Sequence, residues 1–161
     1  MKFERLDPKK HHRKPFDCGV IALNDYLQQF ANQDQKRSLA RVYVLAEQQQ
    51  IIGYYSICAH SVPTDQLPDN SKLGGYPDAP FLLLGRLAVD RHYQGQGYGD
   101  ALIFHAFKIT AEAAEKIGTL GMIVDAKDEK AASFYEKLGF KALSASKKRL
   151  VLSYSAMKSL L

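Results

Sequence analysis

A glycine-rich run at residues 91–100 constrains the fold most, because it joins an apolar predicted strand to a long amphipathic predicted helix. Glycines at 95, 97 and 99 let the backbone turn tightly and let an anion approach the main chain without meeting a Cβ atom. Amides at the start of the following helix point at such an anion, and the helix dipole adds to the attraction. The run predicts a pyrophosphate site, and a purely structural turn is the alternative.

Two common phosphate-binding loops do not fit this run. A P-loop needs Gly-Lys-Ser/Thr after its glycines, and none follows here. A dinucleotide-binding loop needs the spacing Gly-x-Gly-x-x-Gly, whereas these glycines lie at every second position. The pyrophosphate is therefore expected to belong to another class of ligand.

A second motif lies about 40 residues downstream, at residues 128–140. It predicts a short helix, for which Asp128 is a suitable N-cap and Gly139 a suitable C-terminal stop. Together with Gln94-x-x-Gly97-x-Gly99, this Phe-Tyr-x-x-x-Gly-Phe segment resembles the GNAT superfamily of N-acetyltransferases, over roughly residues 40–155. The resemblance implies acetyl-CoA as co-substrate and no metal.

The resemblance also implies which residues contact acetyl-CoA. The glycine-rich loop would cradle the pyrophosphate, and the strand before it would pair by its backbone with the pantetheine arm. Where the family has an asparagine at the fourth helix, this chain has Asp128. The expected contacts are Leu87, Ala88, Val89, Gln94, Gly95, Gln96, Gly97, Tyr98, Gly99, Asp100, Asp128 and Phe134.

Tyr135 is the candidate catalytic residue, because in the family the corresponding tyrosine lies near the thioester sulfur. A phenol has a pKa of ~10, so its hydroxyl is protonated at neutral pH and can donate to a leaving thiolate. The alternative is a core aromatic beside Phe134 whose hydroxyl bonds a backbone group.

The central strands lack an obvious general base for the acceptor amine. No Asp or Glu occurs at residues 48–64 or 81–89. A lysine amine has a pKa of ~10.4 and needs a strong base, whereas an α-amine, at ~7.7–8.0, is partly neutral at pH 7. The absence favours an α-amine acceptor. Four side chains remain possible bases: Glu47, Asp90, His60 and His92. His60 is the best candidate of the four, although a structural histidine is the favoured interpretation of this residue.

A closer resemblance concerns residues 16–27 and the strand segment 85–90. Both look like the acetyltransferase toxins of bacterial toxin–antitoxin pairs. That subfamily acetylates the α-amine of aminoacyl-tRNA and halts translation, and its usual partner is a small ribbon–helix–helix antitoxin. The resemblance implies the same substrate and partner here, and a homodimer is possible.

The charge distribution agrees with a polyanionic partner. The formal net charge is +5, with 22 Lys and Arg against 17 Asp and Glu. Basic clusters attract RNA, although a solvated surface is the alternative for each cluster. A structural ion pair is the alternative for Arg86. The expected tRNA contacts are Arg86, Lys36, Arg37 and Arg91.

The pattern of the whole chain predicts one α/β domain, residues 1–161, with a mixed sheet of six to seven strands and about four helices. One helix is expected to follow Asp17 as its cap, with the apolar stripe Val20, Leu23, Leu27 and Phe30. Helices are also predicted at 99–117 and 130–138, and a long irregular loop at 63–80. Predicted strands are 3–6, 41–46, 51–62, 81–89, 120–126, 141–143 and 149–154.

No apolar run approaches 18 residues and the N-terminus has no apolar core, so neither a membrane span nor a signal peptide is expected. Cys18 and Cys58 lack metal-ligand spacing and are expected to be free, buried or half-buried thiols in the cytoplasm. Two rival functions remain: N-acetylation of a small-molecule or protein amine, and acyl-CoA binding without catalysis.

Overall fold

In the computed structural model, which describes residues 1–68, 73 and 75–161, seven strands form one mixed sheet in the order β1-β2-β3-β4-β5-β7-β6. The pairs β1–β2, β2–β3, β5–β7 and β6–β7 are antiparallel, and β4–β5 is parallel. This confirms the predicted mixed sheet and the central position of the strand before the glycine-rich run. The strands are β1 (Lys2–Arg5), β2 (Arg41–Glu47), β3 (Gln50–Pro63), β4 (Asp78–Val89), β5 (Gly121–Asp125), β6 (Lys141–Leu143) and β7 (Ser146–Ser153).

Four helical segments accompany these strands in the described part of the chain. The first is composite: α1 (Ile21–Asp25) continues through a π-helical turn (Tyr26–Phe30) into α2 (Ala31–Lys36). Single 3₁₀ turns occur at Thr64–Gln66 and Arg91–Tyr93. The remaining helices are α3 (Tyr98–Ala114), α4 (Glu129–Lys137) and α5 (Tyr154–Leu160).

The first helix differs from its prediction in two ways. It begins at Ile21, and Asp17 does not cap it; the Asp17 carboxylate accepts hydrogen bonds from the Gly19 amide and the Asn24 side chain instead. Leu27 is fully buried, but Phe30 is half exposed. A π-helical turn holds more residues than an α-helical turn, so a stripe spaced for 3.6 residues per turn leaves the buried face after Leu27.

The C-terminal helix α5 was not predicted, and the last strand was expected to include Tyr154. The strand ends one residue earlier because the Ser153 hydroxyl accepts a hydrogen bond from the Ala156 amide (3.2 Å) and caps a helix. Met157 is the fully buried residue of that helix. Serine followed by a single buried apolar position is too weak a pattern for a helix prediction.

The chain divides into two compact units, Met1–Cys58 with Gly85–Ala106 and Ala59–Leu84 with Phe107–Leu161. Each has a core of its own. The first core comprises Leu6, Phe16, Cys18, Tyr26, Leu27, Ala31, Val42, Val44, Ala46, Ile51, Tyr54 and Ala88. The second comprises Val62, Leu67, Ala79, Phe81, Ile123, Leu143 and Val151.

Cys18 is a buried and Cys58 a partly buried free thiol, as predicted. The loop expected at 63–80 contains the turn Thr64–Gln66 and the start of β4, while residues 69–72 and 74 lie outside the described residues. Along the described part of the chain, no helix is long and apolar enough to cross a membrane.

Candidate active site

The glycine-rich run forms the predicted turn into α3. Gly95 and Gly97 have φ of +76° and +88°, a left-handed conformation that costs a residue with a Cβ atom about 1–2 kcal/mol. Among the described residues, no atom would lie within 4 Å of a Cβ added at Gly95, Gly97 or Gly99. The first N–H groups of α3 have no partner within the helix, so the turn offers donors beside open space.

The start of this turn is held by the buried carboxylate of Asp90. One oxygen accepts the His92 amide and lies 2.9 Å from His92 Nδ1, and the other accepts the Asp17 amide at 3.1 Å. Burial by itself raises the pKa of Asp90, but these hydrogen bonds and the His92 charge outweigh burial and lower it. Asp90 is therefore a charged anchor under the turn.

Gln94 is fastened by its side chain. Its Nε2 atom donates to the Val89 carbonyl at 2.8 Å and to the Cys18 carbonyl at 2.9 Å. The side-chain amide is thus engaged with the protein, and the main-chain amide is the group that Gln94 can offer to an anion.

The strand before the turn is β4. It pairs with β5 over residues 82–84 and then continues to Val89. In the segment expected to contact the pantetheine arm, Leu87 and Val89 are half-buried and Ala88 is buried. The Val89 carbonyl accepts a hydrogen bond from Gln94 Nε2.

Tyr135 lies on α4, in the second unit, and most of its ring is enclosed. The ring packs against Phe134 (centroids 5.2 Å apart) and against the buried Phe140 (5.3 Å). Burial raises the pKa of Tyr135 to about 12, so the hydroxyl keeps its proton well above neutral pH. Packing beside Phe134 is also what the alternative of a core aromatic expects, while no hydrogen bond of this hydroxyl to a backbone group is found within the described residues.

Asp128 is the N-cap of α4, as predicted. Its Oδ1 atom accepts the Ala131 amide at 2.8 Å, which satisfies one of the free donors of the first turn. The carboxylate that stands where the family has an asparagine therefore already has a structural role. Phe134, on the same helix, is half-buried and contacts Tyr135 edge to face.

Three of the four possible bases are engaged in ion pairs. Glu47 lies 2.9 Å from the Met1 ammonium, and Asp90 and His92 bind each other. His60 is half-buried in the second unit, near Asp125. The pKa of Asp125 is lowered mainly by its hydrogen bond with Arg149, to which the charge of His60 adds.

The environment of Arg86 is more specific than the sequence indicated. Its guanidinium lies over the ring of Tyr26, 3.7 Å from the centroid, and it makes no ion pair, the alternative considered for it, with any residue that the structure describes. The Tyr26 hydroxyl donates to Asp34 Oδ2 at 2.8 Å, and the Tyr26 ring stacks on Tyr54. Burial, and then the bond to Asp34, raise the pKa of Tyr26. Tyr26 and Asp34 were missed, because only tertiary packing brings them beside Arg86.

The other three basic residues expected to contact tRNA lie on the surface of the first unit. Lys36 and Arg37 are exposed at the end of α2. Arg91 is exposed beside the glycine-rich turn and pairs with Asp17, 3.3 Å from its Oδ2 atom.

Gly53, in β3, is a further residue that sequence reasoning missed. A Cβ atom there would lie 2.9 Å from the Ala88 carbonyl oxygen and 2.8 Å from Leu102 Cδ1. The close approach of β3 to the end of β4 therefore requires glycine. A lone glycine inside a strand pattern was the available signal.

In the described ranges, no group of three or more His, Cys, Asp and Glu side chains could hold a metal ion. A glycine-rich turn at the end of a central strand, followed by a long helix, is the feature that defines the protein's class. The model of the acetyltransferase (GNAT) domain matches residues 38–142. The chain belongs to the GNAT acetyltransferase family and is an N-acetyltransferase.

Two curated relatives refine this class. The chain is 30% identical to the probable toxin TacT of Sinorhizobium fredii (strain NBRC 101917 / NGR234), over 98% of this chain and 93% of that protein. It is 31% identical to the tRNA-acetylating toxin of Mycobacterium tuberculosis (strain ATCC 25618 / H37Rv), over 78% of this chain and 75% of that protein.

Two solved structures have the same fold over nearly the whole chain. AtaT complexed with acetyl-methionyl-tRNAfMet has a TM-score of 0.91 and 32% identity, covering 99% of this chain and 98% of that chain. An AtaT variant bound to acetyl-CoA and to the C-terminus of the antitoxin AtaR has a TM-score of 0.83 and 30% identity, covering 99% and 97%.

Proposed function

We propose that this chain, acting as a single N-acetyltransferase domain, transfers the acetyl group of acetyl-CoA to the α-amine of aminoacyl-tRNA and thereby blocks translation as a toxin. The observation that carries the proposal is the turn at Gly95 and Gly97, whose left-handed glycines present the first amides of α3 to open space. Similarity to tRNA-acetylating toxins along the chain supports the choice of acceptor.

The proposed acetyl-CoA contacts are mainly backbone groups. The amides of the turn and of the first turn of α3 would bind the pyrophosphate, because they combine free donors with the positive end of a helix dipole. These are the amides of Gln94, Gly95, Gln96, Gly97, Tyr98, Gly99 and Asp100. Leu87 and Ala88 in β4 would pair with the pantetheine arm, with Val89, Asp128 and Phe134 contributing further contacts.

Tyr135 is the proposed general acid. The acceptor nitrogen bonds to the acetyl carbon, the carbon–sulfur bond breaks, and the phenolic proton passes to the sulfur that leaves. The acceptor amine loses its proton to water, and solvent then reprotonates Tyr135. The raised pKa of Tyr135 supports this role, because the proton is present whenever the reaction runs near neutral pH.

An α-amine is the acceptor that suits this site. Its ordinary pKa of ~7.7–8.0 leaves part of it neutral at pH 7 without a strong base. Glu47, Asp90 and His92 are held in ion pairs, and this supports an acceptor that does not depend on a carboxylate base. Lysine side chains and small amines of higher pKa are correspondingly poorer substrates.

The tRNA would be held by positive charge on the first unit. Arg86 offers a guanidinium aligned by Tyr26, and Lys36, Arg37 and Arg91 offer exposed charges. Neutralising phosphates in this way releases counterions and accounts for most of the affinity of such complexes. A ribbon–helix–helix antitoxin is the proposed protein partner, a cytoplasmic location follows from the tRNA substrate, and a homodimer is compatible with both.

A defined acetylation assay tests the proposal. The purified chain is mixed with radiolabelled acetyl-CoA and, in separate reactions, with charged tRNA, uncharged tRNA, a lysine-rich peptide or a polyamine. We expect label only in the aminoacyl moiety of charged tRNA, together with inhibition of a cell-free translation reaction that requires acetyl-CoA. Label in the peptide or the polyamine alone would favour the rival acetyltransferase functions, and binding without transfer would favour an acyl-CoA-binding module.

A further inference from the structure

Four polar contacts fasten the glycine-rich turn to the short segment that precedes α1. Two come from Asp90 and Gln94: the Asp90 carboxylate accepts the Asp17 amide (3.1 Å), and Gln94 Nε2 donates to the Cys18 carbonyl (2.9 Å). Arg91 adds a backbone bond to the Asp17 carbonyl (2.8 Å) and an ion pair with its carboxylate (3.3 Å). The Asp90 and Gln94 side chains also bond to groups of their own segment: Asp90 accepts the His92 amide, and Gln94 donates to the Val89 carbonyl.

The segment on the other side of these contacts is itself well ordered. Asp17 Oδ1 accepts the Gly19 amide at 2.9 Å and the Asn24 side-chain amide at 3.0 Å. Asn24 Oδ1 accepts the Cys18 amide at 2.8 Å in return. Asp17 and Cys18 are therefore fixed to the first turns of α1, and they can act as a firm support for the glycine-rich turn.

The turn needs such a support, because its own sequence does not hold it in one shape. Gly95 and Gly97 lack side chains, the residues 94–97 are exposed, and nothing packs against the two glycines among the described residues. Glycine is the residue that loses most conformational freedom when it is ordered. Amides that are not ordered beforehand bind an anion more weakly, because binding must then also order the loop.

We propose that Asp90 and Gln94 are positioning residues: through Asp17 and Cys18 they hold the amides of residues 95–100 in the arrangement that binds the pyrophosphate of acetyl-CoA. This inference rests on the proposed function. It assigns to the Gln94 side chain a role in loop geometry and no contact with the ligand. Loss of either side chain then weakens acetyl-CoA binding and leaves the chemical step at Tyr135 unaffected.

Gln94→Met is the informative variant, because Gln94 is exposed and methionine has a similar shape without the two donors. Asp90→Asn keeps the size of the buried anchor and removes its charge. Gln28→Met is the matched control, since Gln28 Nε2 likewise donates to two carbonyls, those of Lys14 and Phe16, but lies outside the turn. All are made in the full chain, and we measure the Kd of acetyl-CoA by calorimetry, kcat and KM with charged tRNA, and Tm.

We expect Gln94→Met and Asp90→Asn to raise the Kd and KM for acetyl-CoA about tenfold, with kcat at saturation within twofold of the parent; two hydrogen bonds of ordinary strength account for an effect of this order. Gln28→Met should lower Tm by about as much as Gln94→Met does, without changing the KM for acetyl-CoA. The double variant Asp90→Asn with Gln94→Met should lose less than the product of the single effects, because both act on one loop. Hydrogen exchange of the amides at 95–100 should be faster in both single variants.

The inference is overturned if Gln94→Met binds acetyl-CoA as tightly as the parent does. It is also overturned if Gln28→Met raises the KM for acetyl-CoA as much as Gln94→Met does. Fully multiplicative effects in the double variant also overturn it, because they would indicate that Gln94 contacts acetyl-CoA directly. A parent chain that binds no acetyl-CoA would refute the proposed function, and the inference with it. If the parent binds acetyl-CoA and transfers its acetyl group, and the variants bind acetyl-CoA as the parent does, then only the inference is refuted and the proposed function stands.

Discussion

The guanidinium of Arg86 lies 3.7 Å from the centroid of the Tyr26 ring, whose hydroxyl is bound by Asp34. A guanidinium stacked on an aromatic ring is held in one plane while its N–H groups stay available at the edge. Arg86 is exposed in β4, directly before the strand segment proposed to contact acetyl-CoA. The stack therefore presents a fixed set of donors where the acceptor is proposed to bind.

Replacing Arg86 with lysine keeps the charge and removes the planar stack. We expect KM for charged tRNA to rise roughly 2- to 30-fold, the range that corresponds to a cation–π interaction of about 0.5–2 kcal/mol, with the Kd of acetyl-CoA unchanged. Arg5→Lys is the control, because Arg5 lies over the Tyr43 ring at 6.0 Å and belongs to none of the proposed contacts. Steady-state kinetics with charged tRNA measures both. Equal values of KM for charged tRNA in Arg86→Lys and the parent would show that the stack of Arg86 on Tyr26 does not contribute to tRNA binding.

Replacing Tyr135 with phenylalanine removes the proposed acid while keeping the ring that packs on Phe134 and Phe140. We expect kcat to fall by about 10²–10⁴, the usual contribution of general acid catalysis, with the Kd of acetyl-CoA nearly unchanged. Tyr154→Phe, which loses a hydroxyl bonded to Glu115, should keep the parental rate. Single-turnover transfer to charged tRNA is the measurement, and an undiminished rate in Tyr135→Phe would exclude the residue from proton transfer.

Replacing Gly97 with alanine forces a Cβ atom into a left-handed conformation, with φ of +88°. We expect a stability loss of about 1–2 kcal/mol, or a shifted turn, and a loss of acetyl-CoA affinity in either case. Gly75→Ala is the matched control, because Gly75 has φ of +79° and open space around it. Denaturant unfolding and calorimetry separate the two effects. Similar affinities for acetyl-CoA in both variants would show that the turn does not bind its pyrophosphate.

Acid should destabilise the protein through carboxyl groups whose pKa is lowered on folding. Asp125 is one, chiefly because Arg149 donates to both of its oxygens at 2.7 and 2.9 Å. A lowered pKa contributes stability above the ordinary value of ~3.9, and this contribution is lost as pH falls through the folded value. The free energy of unfolding of Asp125→Asn should therefore fall less than that of the parent between about pH 5 and pH 3. Parallel curves would indicate that the pair is not formed in solution.

Salt should weaken the reaction with tRNA. Each protein–phosphate contact releases counterions, so log affinity falls linearly with log salt, by about 0.7–0.9 per contact. Lys36→Gln, at the exposed end of α2, should reduce the slope by about one such unit and leave acetyl-CoA binding unchanged. Filter binding between about 50 and 200 mM salt gives the slopes. A slope near zero for the parent would argue for a small acceptor.

The local predictions succeeded where a pattern repeats at short range. β4 was predicted from its apolar run and α4 from an aspartate at its start and a glycine at its end, and the structure has Asp128 as cap and Gly139 at φ of +104°. The first helix was predicted less well, because the π-helical turn at Tyr26–Phe30 changes the residue spacing without a pattern that signals it. Helix α5 was missed because one buried residue, Met157, makes no periodicity.

The amino-acid sequence alone determined the order of the seven strands along the chain and the glycines that allow the turn before α3, since each depends on residues close together in the chain. The enzyme class came from two motifs, about 40 residues apart, that resemble one family. Tertiary structure decided what those residues touch. It set Asp17 and Cys18, more than 70 positions earlier, against Asp90 and Gln94, and it placed Tyr26 under Arg86. The physical reason is that such bonds depend on how β4 packs beside the first helix. Packing brings together residues that are far apart in the chain, and no periodic pattern in the sequence marks such pairs.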